Sequence, residues 1–217
     1  MEMTNTEKGD FCALAASLMA PPDGETVRQM KQGEIQSLLE KNIREWGGDP
    51  RATAELSGEK NTGRDLADLQ SGYDRLFAGL SGQKISLVES TYKPWTGDRS
   101  CALAFAGNKG LLMGDAALHM REIYRRGSLE VPEEFRSTPD HLLLELEFLS
   151  LLYHSATPEQ IQGFIEDHLD WVPDLKERLD RADPHPFYRR VIELINLFLE
   201  HERKEAKAKN HGPKNLH

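Results

Sequence analysis

Between Thr138 and Leu149 the chain reads Thr-Pro-Asp-His-Leu-Leu-Leu-Glu-Leu-Glu-Phe-Leu. A run this apolar on nearly every helical face marks a helix that the rest of the molecule must surround. Proline in a first helical turn gives up no hydrogen bond, because its N–H would be an orphan there. The pattern therefore predicts a helix starting at Pro139, with Thr138 as its cap and Asp140 at the positive end of the helix dipole. Yet His141, Glu145 and Glu147 sit in the same run. Buried polar groups are costly unless partnered, so these side chains must hold something.

The remainder of the chain keeps helical spacing. A first helix is expected over about Thr4–Met19, with Phe11, Leu14, Leu18 and Met19 on one side, ending before Pro21-Pro22. A second runs from about Glu25 to Trp46, with a break near Gly33, and stops at Gly47-Gly48-Asp49-Pro50. Residues 51–63 read as a shorter helix and a loop. A third strong segment covers about Asp65–Phe77 and ends at Gly79-Leu80-Ser81-Gly82. From about 79 to 114 the chain is irregular, punctuated by Pro94, Gly97, Gly107, Gly110 and Gly114. A long irregular segment in a compact helical protein is usually functional. Asp115 should then cap a helix to about Arg126, with Leu118, Ile123 and Tyr124 inward. A short turn follows at Pro132–Arg136. Beyond the central helix come three more: one opened by Thr157-Pro158-Glu159-Gln160, one over about Asp170–Ala182, and a last one over about Pro186–Ala206. No internal repeat and no sustained β alternation is present, so the fold class is all-α, a compact single-domain helical bundle.

Charge and cysteine usage narrow the function. The formal net charge is −9, but residues 203–217 carry five basic residues and one acid, leaving −13 on residues 1–202. The division is therefore a helical domain, 1–202, and a basic tail, 203–217. An acidic body disfavours nucleic acid and attracts basic ligands. Cys12 and Cys101 form no CxxC pair, which argues against a zinc knuckle, an iron–sulfur cluster or a disulfide framework. No apolar run approaches the length of a membrane span, and residues 1–10 lack a basic signal-peptide start. The cytoplasm is the expected compartment.

Motifs for chemistry are sparse. Residues 58–65 mimic P-loop glycine spacing but place Arg-Asp where Lys-Ser/Thr is required. No Gly-x-Ser-x-Gly elbow occurs. The pairs Arg125-Arg126 and Arg189-Arg190 lie inside helices and read as surface charge. On the central helix His141, Glu145 and Phe148 share a face, and Glu147, Ser150 and His154 share another. A metal-dependent enzyme built on His141, Glu145 and His154 is thus one reading, although no histidine has the glutamate three residues before it that a di-iron bundle needs. A helical scaffold is another. Binding has more residues behind it. Tyr73, Leu76, Phe77, Leu80, Tyr92 and Trp95 supply apolar surface, and Glu89, Asp140 and Glu145 supply acid. An apolar groove with acidic edges suits a peptide in which arginines precede an apolar run.

Three segments in order carry a resemblance: Tyr73-x-x-Leu76-Phe77-x-Gly79, then Glu89-Ser90-x-Tyr92, then Pro139-Asp140-His141 followed by Glu145-Leu146-Glu147-Phe148-Leu149. With Phe187-Tyr188 at the head of the last helix, the chain resembles the TorD/DmsD/NarJ family of redox-enzyme maturation chaperones from about Tyr73 to Leu199. The resemblance implies a TorD-like all-α cytoplasmic chaperone without catalytic activity or cofactor. Its partner would be the catalytic subunit of a molybdopterin oxidoreductase, often bound at a twin-arginine leader and held back from export until the cofactor is inserted. Weak guanine-nucleotide binding and either a monomer or a helix-swapped homodimer are further implications. Carried over by position, the peptide-binding residues are Tyr73, Leu76, Phe77, Glu89, Ser90, Tyr92, Asp140 and His141, with Glu145 beside them. One departure is plain: many members have a proline-rich loop after Leu-Phe-x-Gly, where this chain has residues 80–85, Leu-Ser-Gly-Gln-Lys-Ile.

Overall fold

The structure, a computed structural model, describes residues 3–31, 39, 43–44, 46–49, 66–78, 84–182 and 184–210. The expectations for residues 51–63, for Leu80 and the 79–82 break, and for the tail beyond 210 lie outside the described residues. Helix α1, Asn5–Met19, begins on a reciprocal cap in which Glu7 N–H donates to Thr4 Oγ1 and Thr4 N–H donates to the Glu7 carboxylate. It ends at Ala20, before Pro21-Pro22. Helix α2 covers Gly24–Lys31. Further on, Gly48 N–H donates to Ile43 C=O and Gly47 N–H to Arg44 C=O, with Gly47 at φ +80°. This paired closure needs a left-handed residue, which glycine supplies without steric cost, and it is the stop expected at Gly47-Gly48.

Helix α3, Leu66–Tyr73, runs into a π-helical turn, Asp74–Ala78. Helices α4, Asp115–Arg126, α5, Leu142–Ser155, α6, Pro158–His168, α7, Val172–Arg181, and α8, Pro186–Asn210, complete the described helical elements. Thr157 caps α6 reciprocally with Gln160, and Pro158 occupies its first turn. The architecture is all-α. Residues 84–114 have little helix beyond a 3-10 turn, Glu89–Thr91. Among the described residues one antiparallel bridge, Val88 to His141, joins this segment to the start of α5.

Three details differ from the sequence expectation. The central helix starts at Leu142, not Pro139. Its N-cap is His141, whose Nδ1 accepts from Leu143 N–H. Thr138-Pro139-Asp140 forms the preceding turn, because the chain there is held by the 87–90 segment instead of by helical bonds. Asp115 does not cap α4; Gly114 does, and Asp115 Oδ2 instead accepts from Thr96 Oγ1 and Gly97 N–H. A Cβ on Gly114 would sit 2.4 Å from Trp95 O, so only glycine lets these backbones meet. Leu118 faces solvent; Ala117, Met120 and Tyr124 carry the buried face of α4.

Helix α5 is buried through Leu142, Leu143, Leu144, Leu146 and Leu149 and packs most extensively on α1. The two approach closely at Gly9, where a Cβ would lie 2.4 Å from the His154 ring. Helix α8 lies against α1, α6 and α7. Phe11, Trp46 and Phe198 meet edge-on, with centroids 4.8–5.4 Å apart. Beside them a polar network is sealed in: Lys8 Nζ is 2.6 Å from Glu202 Oε1, and Tyr153 Oη donates to Glu202 Oε2 at 2.8 Å. Removing one partner of a buried ion pair strands the other charge. Glu202→Leu alone should therefore cost about 3–5 kcal/mol in urea unfolding. The double variant Glu202→Leu with Lys8→Met should recover most of that loss in the same double-mutant cycle.

Candidate functional site

The Asp140 turn and the Glu89–Thr91 turn are bound edge to edge. Glu89 N–H donates to Asp140 C=O at 3.0 Å, and Leu142 N–H donates to Leu87 C=O at 2.8 Å. Ser90 N–H donates to Asp140 Oδ2 at 2.7 Å, and Ser90 Oγ–H donates to the same oxygen. Asp140, Glu89 and Ser90 are all buried. Burial pushes the Asp140 carboxyl up, against the pull of the two Ser90 bonds.

Glu89 is the hub's centre. His168 Nδ1 lies 2.9 Å from Glu89 Oε2, and His168 Nε2 lies 2.9 Å from His119 Nδ1. Lys93 Nζ is 2.6 Å from Glu89 Oε1, from Asp170 Oδ1 and from the Asp167 carbonyl oxygen. Burial alone would raise the Glu89 carboxyl; the hydrogen bond and charge of His168, with Lys93, outweigh it and hold the group below the ordinary value. Glu145 arrives from α5. Trp171 Nε1–H donates to its Oε2 at 3.2 Å, while Oε1 has no hydrogen-bond donor. Burial and the adjacent Glu89 charge push this carboxyl well above the ordinary range. Tyr92 closes the hub, its Oη donating to Ser86 C=O, its ring 4.8 Å from Trp171 and under the Arg178 guanidinium.

The predicted residues thus fall into two groups. Glu89, Ser90, Tyr92, Asp140 and Glu145 share one buried hub, with His141 half-buried at its edge. Tyr73, Leu76 and Phe77 gather instead around Tyr188, with Tyr73 and Phe77 ring centroids 5.8 and 5.5 Å from it. The two groups are linked through the backbone, since Ile85 N–H donates to Leu76 C=O at the start of the segment that leads to Glu89. Trp95 lies apart, packed on Phe105. His141, Glu145 and His154 do not form one metal set: 13 residues of helix separate the two histidines by about 20 Å, and His154 bonds to Ser150 C=O on the α1 side.

Sequence reading missed His168, His119, Lys93 and Trp171. His168 stands three and four residues after Ile165 and Phe164, so the apolar stripe of α6 already pointed it inward. Beside the hub an open cavity of about 450 Å³ is lined by Glu89, Lys93, Asp115, His119, Asp167 and His168. A smaller apolar hollow lies between the end of α4, residues 129–132 and α5, with Glu147 on its wall.

These features define an all-helical protein organised round a buried acid–imidazole hub. A family model described as the nitrate reductase delta subunit matches residues 29–183. The chain belongs to that family. The chaperone protein TorD of Vibrio cholerae serotype O1 is 26% identical over 163 residues, covering 68% of this chain and 74% of that protein. The chaperone protein TorD of Vibrio atlanticus is 30% identical over 117 residues, covering 46% and 54%. That of Aliivibrio salmonicida is 28% identical over 119 residues, covering 48% and 55%. The family and these relatives agree with the resemblance read from the three sequence segments, and the relatives are named as chaperones rather than enzymes.

Two consequences are measurable. Asp140→Ala strands the buried Ser90 N–H and should lower stability by about 1–3 kcal/mol, whereas Asp140→Asn keeps an acceptor and should cost less. The comparison is made by thermal or urea unfolding. Separately, burial and nearby Lys84 push the His141 imidazole down to about 4. An unfolded histidine protonates near 6.5, so the unfolded state binds more protons in between, and stability should fall as pH drops from about 6.5 towards 4. His141→Asn keeps a capping acceptor and should flatten that part of the melting-temperature profile.

Proposed function

We propose that this chain is a cytoplasmic maturation chaperone for a molybdopterin oxidoreductase. It binds the leader or N-terminal region of the catalytic subunit, often a twin-arginine leader, and assists cofactor insertion and assembly before export. The observation that carries this reading is the family match over residues 29–183, which spans the Glu89–Tyr92 and Pro139–His141 segments that pack on each other. The cavity beside them supports it: the carboxylates of Asp115 and Asp167 at its wall suit guanidinium groups. A desolvated Arg–carboxylate contact contributes about 1.5–3 kcal/mol. The apolar run of the client would lie against half-buried Tyr73 at the end of α3, with Leu76 and Phe77 of the following π-helical turn packed beneath it. In this reading Asp140, Ser90, Tyr92 and Glu145 shape the surface from beneath, and His141 stands at its edge. Residues 1–202 form the binding body, and 203–217 form a basic extension whose residues 203–210 continue helix α8.

The test uses a synthetic twin-arginine leader peptide of a molybdopterin oxidoreductase and the same peptide with both arginines changed to alanine, titrated calorimetrically. The arginine peptide should bind, and more weakly at higher salt. The alanine peptide, or the Asp115→Asn/Asp167→Asn variant with the arginine peptide, should bind about tenfold less tightly, equivalent to about 1.4 kcal/mol. Equal binding of both peptides, or none by either, overturns the reading.

A further inference from the structure

Glu89, Glu145 and His168 come from three separate segments, the 3-10 turn, α5 and α6, and all three are buried. One donor atom from each can be chosen so that the three lie within 4.8 Å of one another. Glu145 is fully buried, and its Oε1 has no hydrogen-bond donor. The Glu145 carboxyl is set against that of Glu89, and two buried carboxyl groups can meet only with a proton or a cation between them. We propose that Glu89, Glu145 and His168 bind one divalent transition-metal ion, best matched by Zn²⁺, as a structural clasp between these segments.

The donor chemistry selects the ion. Two carboxylates and one imidazole suit Zn²⁺ better than a thiolate-seeking or an all-oxygen-seeking ion. Zinc bonds of about 2.0–2.2 Å need donors roughly 3.5 Å apart in a tetrahedron, so modest side-chain rotation gathers this set. The surroundings supply the rest. With zinc on His168 Nδ1, the opposite ring nitrogen is already 2.9 Å from His119 Nδ1 and is oriented by it, as ligating histidines usually are. Lys93, the cation now against Glu89, retains Asp170 and the Asp167 carbonyl as partners when the carboxylate turns to the ion. Two of the three donors, Glu89 and His168, line the open cavity together with His119, which gives the ion a route in from that side. The alternative occupant is a proton shared between the two carboxyl groups. This inference goes beyond leader binding and does not depend on it.

The experiment uses the full, tag-free chain, stripped with a chelator, equilibrated with ZnCl₂ and desalted. Elemental analysis should find about one Zn²⁺ per chain, and zinc should raise the melting temperature of the stripped protein. Glu145→Gln keeps the shape and the Trp171 acceptor, and His168→Gln removes the imidazole; each should lose both the zinc and the thermal shift while retaining its helical circular dichroism. Substoichiometric zinc in the wild type overturns the proposal in favour of the shared proton. Wild-type zinc content in either folded variant overturns it in favour of surface histidines. Should neither variant fold, Co²⁺ is added to the wild type: visible bands of a four-coordinate site support the clasp, and the spectrum of aqueous Co²⁺ refutes it.

Discussion

The Asp140 carboxylate ties the start of α5 to the irregular 84–114 segment, and the polar hub depends on that tie. Ser90 donates to it twice, while the Asp140 carbonyl takes Glu89 N–H. The carboxylate is inside the protein, so its hydrogen bonds act in a low-dielectric setting that strengthens them and penalises their loss. Because the turn is occupied in this way, the helix must begin later, at Leu142, with His141 as cap. That one shift sets the angular position of Glu145 and delivers it to Glu89 and Trp171.

The hub then accounts for how a segment with little regular structure is tied to the helices around it. Residues 84–114 satisfy part of their backbone internally, through Trp95 N–H to Asn108 C=O, Thr96 N–H to Ala106 C=O and Gly110 N–H to Thr91 C=O, and the rest must find partners outside, because unpaired buried backbone groups are strongly disfavoured. Their bonds go to neighbours: Leu87 C=O to Leu142, Glu89 N–H to Asp140, Asp115 N–H to Trp95 C=O. Lys93 adds a tether to the end of α6 through Asp167 and Asp170. The result is a loop held at several points by the helices on either side, with the cavity opening alongside it.

Much of this was legible in the sequence. Phe11, Leu18 and Met19 on α1, Ile161, Phe164 and Ile165 on α6, and Phe187, Val191 and Phe198 on α8 follow helical spacing and are buried. The caps at Thr4 and Thr157, and the Gly47-Gly48 stop, involve neighbours in sequence, so local chemistry was enough. The start of α5 was misplaced because Thr-Pro-Asp is locally a good helix opening, and a contact 50 residues away in sequence overrides it. Likewise Asp115 has the right chemistry for a cap, but Thr96 and Gly97 claim its carboxylate first. For the hub, Glu89, Asp140 and Glu145 could be named, yet His168, His119 and Trp171 are distant in sequence, and nothing local joins them to it.

The Lys8–Glu202 contact has a consequence for how the molecule comes into being. It joins the first described helix to the last, so these two charges meet only after the 193 residues between them have been synthesised. Until then α1 can dock on α5 but has no lid over Lys8 and Phe11. Closure of the core over Lys8 and Phe11 is therefore a late, long-range event, whose loop entropy must be met before the contact forms. Until α8 arrives, the apolar face around Phe11 has no cover from Phe198.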